Sequence, residues 1–246
     1  MDVDLMGKTA LLAGDLDETM TAISAALMGA GARVVACEPP VWGNVPYPTV
    51  SLAAGDPDQI NAQVHGLDRV DIAIINAGWR GYGDFLASTP HDWEHAIQAN
   101  FEQPLYIAQA VARRMIAHDE GGRIVFIAGV ECLMAFSGAA ALGATLTMMW
   151  AMAKMAAVDL AQYGITVNVI APGWTNGAAF QSLADDARSH ILLGIPSQVA
   201  GTAADVVNAA LFFASAMSGY ITGAILPVDG GYTLTRADGR GMFERG

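Results

Sequence analysis

The sequence predicts an α/β fold, a doubly wound parallel sheet with helices on both faces. Three observations predict it. Short continuous apolar runs rich in Val and Ile recur along the whole chain, as in strands buried on both faces. Helical stretches separate them, which is the alternation of a parallel sheet. The length of 246 residues suits one such domain, 1–246, and no internal repeat or linker divides it.

In chain order, "TALLAG" is the first strand and is followed by a helix over about 19–28. "ARVVACE" is the second strand and "PTVSLAA" the third. "VDIAIINAG" is the fourth, and a helix is expected over about 92–118. "GRIVFIAG" precedes a helix over about 142–162, and "ITVNVIAPG" precedes one over about 203–214. "AILPVDGG" closes the sheet. The last stretch, 235–246, is polar with three arginines and reads as a surface tail.

Composition narrows the function. The net charge is -12 and the pI about 4.6, which argues against a nucleic-acid partner and against an anionic membrane surface. No apolar run reaches the ~20 residues of a spanning helix without a charge or break, and "MDVDLMGK" is not a signal peptide. Cys37 and Cys132 have no metal-type spacing and read as reduced thiols, so a cytoplasmic protein is expected. Hydrophobic residues make up 53%, more than a monomer core needs, so part of the apolar surface is expected to face another subunit.

Several segments, in order, carry a family resemblance. "GKTALLAG", "IINAG", "NFEQPLYIAQAV", "GRIVFIAGV", "DLAQYGITVNVIAPGW" and "SGYITGAILPVDGGYTL" together resemble the short-chain dehydrogenase/reductase family across nearly the whole chain. The resemblance implies a Rossmann-like, three-layer αβα domain that binds NAD and oxidises an alcohol with Ser, Tyr and Lys. Fold does not by itself give function, and this chain departs from the pattern where chemistry is done.

The glycine-rich cofactor turn falls on residues 13–20, where only Gly14 is retained. Glu18 and Met20 replace the two glycines that admit the pyrophosphate and let the helix pack closely. Asp15, Asp17 and Glu18 place negative charge at a helix start that would otherwise attract an anion. The turn therefore reads as a closed pocket, sealed by the carboxylates and Met20, with no cofactor on this chain. Vestiges remain: Glu38 stands where the family's acidic residue takes the ribose, and Asn76 lies in the Asn-Ala-Gly segment. The adenine-side Asp aligns with Ala53, and the Thr that meets the nicotinamide aligns with Gly177.

The resemblance places the catalytic Ser on Gly129, the Tyr on Leu142 and the Lys on Leu146, in a register fixed independently from both sides. Gly and Leu cannot transfer a proton. Asn100, the fourth family residue, is retained, and its bland role is to steady a helix irregularity. None of the five histidines pairs with a nucleophile. His91 and His95 have the spacing of a metal pair but no third ligand is evident, so no metal is expected. The loop "GWRGYGDF" suits a ligand, a neighbour or plain solvent.

By contrast, the assembly features survive. The helix "LGATLTMMWAMAKMAAVDLAQ" carries only Lys154 and Asp159 as charges, so Met148, Met149, Trp150 and Met152 are expected to be buried against a partner. The expected role is a non-catalytic subunit of a heterotetramer with an active short-chain dehydrogenase paralogue that carries NAD. The resemblance extends to the inactive subunit of the dehydrogenase of anaerobic toluene degradation, which acts on 2-[hydroxy(phenyl)methyl]succinyl-CoA. Arg236, Arg240 and Arg245 of the tail would then reach a partner's substrate. Two alternatives remain open: a cofactor-free enzyme of the halohydrin dehalogenase type, and a homo-oligomeric ligand-binding protein using the vacated pocket.

Overall fold

The structure is a computed structural model that describes residues 3–15, 17–38, 47–51 and 56–234. The apolar runs become seven parallel strands: β1 (Thr9–Ala13), β2 (Arg33–Glu38), β3 (Thr49–Ser51), β4 (Ile72–Asn76), β5 (Gly122–Ile127), β6 (Ile165–Pro172) and β7 (Ile225–Val228). Their order is β3-β2-β1-β4-β5-β6-β7. The order reverses between β1 and β4, and such a reversal opens a crevice beyond the strands' C-terminal ends. Ala13 of β1 lies beside Ile75 of β4 at that crevice.

Helices α1 (Glu18–Gly29), α2 (Pro57–His65), α3 (Pro90–Ile97), α4 (Gln103–His118), α5 (Ala140–Leu160), α6 (Ala178–Gln181), α7 (Asp185–Gly194) and α8 (Ala203–Ala214) complete the chain. Successive strand residues point to opposite faces. On one face Leu11, Val35, Ile75 and Phe126 pack with Ile60 of α2, Val111 of α4 and Leu146 of α5. On the other, Leu12, Val34, Ile74 and Ile127 pack with Met20 and Ile23 of α1 and Phe213 of α8. The result is the expected three-layer arrangement.

Three readings need correction. The helix expected over 92–118 is interrupted: a π-helical turn, Gln98–Glu102, separates α3 from α4. Its cause is tertiary, a buried Asn100 bonded across to another segment. Helices α2, α6 and α7 lacked a periodic apolar signal strong enough to read. Helix α5 extended through Tyr163 is long and apolar enough to cross a membrane by length and composition. Its Leu142, Leu146, Met149, Ala153 and Ala157 nevertheless pack on the sheet, so its apolarity already has a use in the core.

Candidate functional site

At the crevice between β1 and β4 the turn after β1 is tied to Asn76 at the end of β4. Gly14 has φ +88°, and a Cβ there would stand 1.9 Å from the Asn76 carbonyl oxygen. Only glycine fits that turn. Asn76 Nδ2 donates to the Asp15 carbonyl at 2.7 Å and lies 3.4 Å from Asp17 Oδ2. Asp17 caps α1, its Oδ1 accepting from Met20 N at 2.8 Å. Burial and then repulsion from Asp17 raise the Asp15 pKa, and Arg80 partly offsets them.

The acidic turn thus divides its tasks. Asp17 holds the helix start. Glu18 is exposed and reaches across the crevice: a Cβ on Gly177 would lie 3.0 Å from its Oε2. Met20 does not face the crevice as the sealing account expected. It is fully buried and packs inward with Leu12, Ile23 and Ile74. An apolar side chain at the first turn of a helix lying on a sheet gains most by turning into the core.

At the positions that the resemblance assigns to Tyr and Lys, Leu142 and Leu146 are fully buried in the apolar core. Gly129 follows β5, and the space a side chain would take there is filled: its Cβ would stand 2.2 Å from Glu131 Oε2. Asn100 is fully buried with its amide committed to structure. Its Oδ1 accepts from Trp79 N at 2.8 Å, and its Nδ2 donates to Trp79 O at 2.9 Å and Thr145 Oγ1 at 3.1 Å.

A polar group gathers beside Gly129. Arg80 and Tyr82 enter from the loop after β4, and Glu131 folds back from the turn after β5. Tyr82 Oη donates to Glu131 Oε1 at 2.6 Å. Burial, followed by this bond and the carboxylate's charge, pushes the phenol pKa up, so Tyr82 stays a donor at neutral pH. Arg80 Nη2 donates to Ala128 O at 3.2 Å and Asn76 Oδ1 at 3.4 Å. These groups line a cavity of about 300 Å³ whose apolar walls include Ile127, Phe136, Trp174 and Phe180. A larger groove of about 1110 Å³ continues from Glu131 along α5 past Thr147 and Met148.

The loop "GWRGYGDF" was singled out by its composition, but Glu131 was not. An acidic residue directly after an apolar strand was its one available signal. The remaining candidates do not join the cavity. His91 and His95 stack on α3 with centroids 6.4 Å apart, and among the described residues no group of three or more metal-type ligands gathers. Burial pushes the Cys132 thiol up to about 11, and it donates to Gly129 O at 3.0 Å. Burial likewise raises Cys37. Neither is poised as a nucleophile. Ala53, the Glu38 side chain and the tail arginines Arg236, Arg240 and Arg245 lie outside the described residues.

Comparison with known proteins places this architecture. A family model described as enoyl-(acyl carrier protein) reductase matches residues 52–233. The chain is 31% identical over 237 residues to 3-oxoacyl-[acyl-carrier-protein] reductase FabG of Escherichia coli, covering 92% of this chain and 97% of that protein. It is 31% identical over 180 residues to 2-dehydro-3-deoxy-D-gluconate 5-dehydrogenase of the same organism, covering 72% and 71%. Among solved structures, gluconate 5-dehydrogenase from Burkholderia cenocepacia, in complex with NADP and tartrate, superposes with a TM-score of 0.86 at 28% identity. That match covers 95% of this chain and 98% of that one.

Proposed function

Because the chain belongs to the short-chain dehydrogenase/reductase family of oxidoreductases, we propose that it serves as the non-catalytic subunit of a hetero-oligomeric dehydrogenase, with NAD carried by an active paralogue. One observation carries the reading: the three positions that would handle protons hold Gly129, Leu142 and Leu146, two sealed in the core and one overlaid by Glu131. Alcohol oxidation needs a base to take the hydroxyl proton as hydride leaves. At those positions this chain presents none. Glu18 across the crevice further disfavours a pyrophosphate, through bulk and like charge.

The proposed substrate of the complex is a hydroxyacyl thioester. The similarity to a 3-oxoacyl-[acyl-carrier-protein] reductase supports that class. The resemblance to two-subunit dehydrogenases suggests 2-[hydroxy(phenyl)methyl]succinyl-CoA, in anaerobic toluene degradation, as the specific case. The outer face of α5 supplies the pairing surface: Ala144, Met148, Ala151, Met155 and Val158 are exposed at intervals of three or four residues.

A native mass spectrum of the protein purified from its own cells tests the reading. A tetramer with a second chain of similar size, and NAD bound to that chain, is expected. An assembly of this chain alone, or NAD bound to this chain, would overturn it. A homo-oligomeric ligand-binding protein is the second reading, favoured by the Arg80–Tyr82–Glu131 group in the cavity.

A further inference from the structure

The cavity holds a cation and an anion side by side that do not pair. Arg80 Nη1 and Glu131 Oε2 stand 3.4 Å and 2.2 Å from the point where a Cβ on Gly129 would be. Yet no ion pair of Arg80 occurs among the described residues. Its Nη2 is spent on two neutral acceptors, the Ala128 and Asn76 oxygens. Nε and Nη1 have no partner among the described residues. Glu131 Oε1 is held by Tyr82, leaving Oε2 open. The other carboxylate lining the cavity, Asp17, is occupied by Met20 N and Asn76 Nδ2.

From this juxtaposition we infer that the cavity binds a free α-amino acid with an apolar side chain, its carboxylate on Arg80 and its ammonium on Glu131. The ligand's two charges are adjacent on one carbon, as the site's two charges are adjacent over one glycine. With Nη2 engaged, the donor left beside Gly129 for a carboxylate oxygen is the Arg80 Nη1–H, in a charge-assisted bond. The side chain meets Phe136, Trp174 and Phe180, with Trp174 and Phe180 tilted at 6.2 Å. About 300 Å³ holds such a molecule and is at the lower end of small-ligand pockets.

Other classes fit worse. A phosphate or nucleotide brings two or more negative charges against Asp17 and Glu131. A simple carboxylic acid satisfies Arg80 but presses its charge on Glu131 with nothing to offset it. A simple amine does the reverse, meeting Glu131 but bringing a second positive charge beside Arg80. The inference goes beyond the subunit proposal and concerns this chain alone.

Isothermal titration of the full-length protein, with any chain that copurifies, tests it. The probes are L-phenylalanine, phenethylamine, which lacks the carboxylate, and 3-phenylpropanoate, which lacks the ammonium. L-Phenylalanine is expected to bind saturably, and each analogue about tenfold or more weakly. Arg80→Gln and Glu131→Gln are each expected to weaken L-phenylalanine about tenfold or more, with unchanged Tm. No saturable binding of L-phenylalanine, an analogue that binds equally well, or folded variants that bind as wild type would each overturn the inference. If a variant fails to fold, the analogue series on the wild-type chain still decides. Subunit composition is read separately by native mass spectrometry, so failure of this site and failure of the subunit proposal are distinguishable.

Discussion

At the scale of single residues, Gly129 and Glu131 act as one unit. The backbone of Gly129 is extended, with φ -166°, so any residue can adopt it. What excludes a side chain is the Glu131 carboxylate. Gly129→Ser should therefore fold, but Glu131 must swing away and release Tyr82. Tyr82 is 55% exposed, so the lost bond is worth only about 1 kcal/mol. Denaturant titration checks this. The cost should fall toward zero in a Tyr82→Phe background, where the bond is already gone, and a cost that persists there means another group blocks the site. Gly129→Ser should not restore oxidation of any alcohol with NAD, because Leu142 and Leu146 remain apolar and buried. That Gly129, Leu142 and Leu146 stand at the positions the resemblance assigns to Ser, Tyr and Lys is read from the sequence alone. The group gathered around Gly129 was not legible there. Glu131 matters only because a glycine two residues earlier leaves room and a tyrosine 49 residues earlier holds it, a coincidence in space.

At the scale of elements, the inner strands were legible because each is a continuous apolar run, as a strand buried on both faces is, whereas β7 is a partly exposed edge read from its apolar sequence alone. The π-helical turn was not. A helix follows local periodicity, whereas Gln98–Glu102 follows the distant grip of Asn100 on Trp79. This turn separates two accounts of Asn100, a relic of a proton relay or a brace between α4 and the loop carrying Arg80. The brace predicts that Asn100→Ala costs about 2–4 kcal/mol, since it leaves a buried side-chain hole and strips partners from the Trp79 N–H and C=O. Equilibrium unfolding measures it. A cost under ~1 kcal/mol would remove the structural account and leave the retention of Asn100 unexplained. The short helices escaped for a simpler reason. Helix α7 has no buried residue, so no apolar stripe was there to read.

At the scale of the whole molecule, α5 faces two ways. Its inner row, with Leu142, Leu146 and Met149, belongs to the core. Of the residues expected at a partner surface, Met149 is therefore misplaced, and Trp150 and Met152 are only partly exposed. The outward row is instead Ala144, Met148, Ala151, Met155 and Val158, with Met155 62% and Val158 74% exposed. A surface helix ordinarily turns polar residues to water. Here small residues alternate with larger apolar ones, as in a face that another helix can approach closely. Charge on this row should break assembly while sparing the fold. Met155→Glu with Val158→Glu adds two carboxylates at positions that touch little of the chain's own core, so the change in unfolding free energy should stay within about 0.5 kcal/mol per site. Buried in an interface, the same two unpaired charges cost several kcal/mol each. Sedimentation velocity at equal concentrations should show the wild-type assembly shifted to a smaller species in the variant, with Tm of that species set by the single chain. An assembly unchanged in mass would move the contact elsewhere on the surface. Tyr220, fully exposed beside β7, and Leu226 on that edge strand are then the next residues to charge.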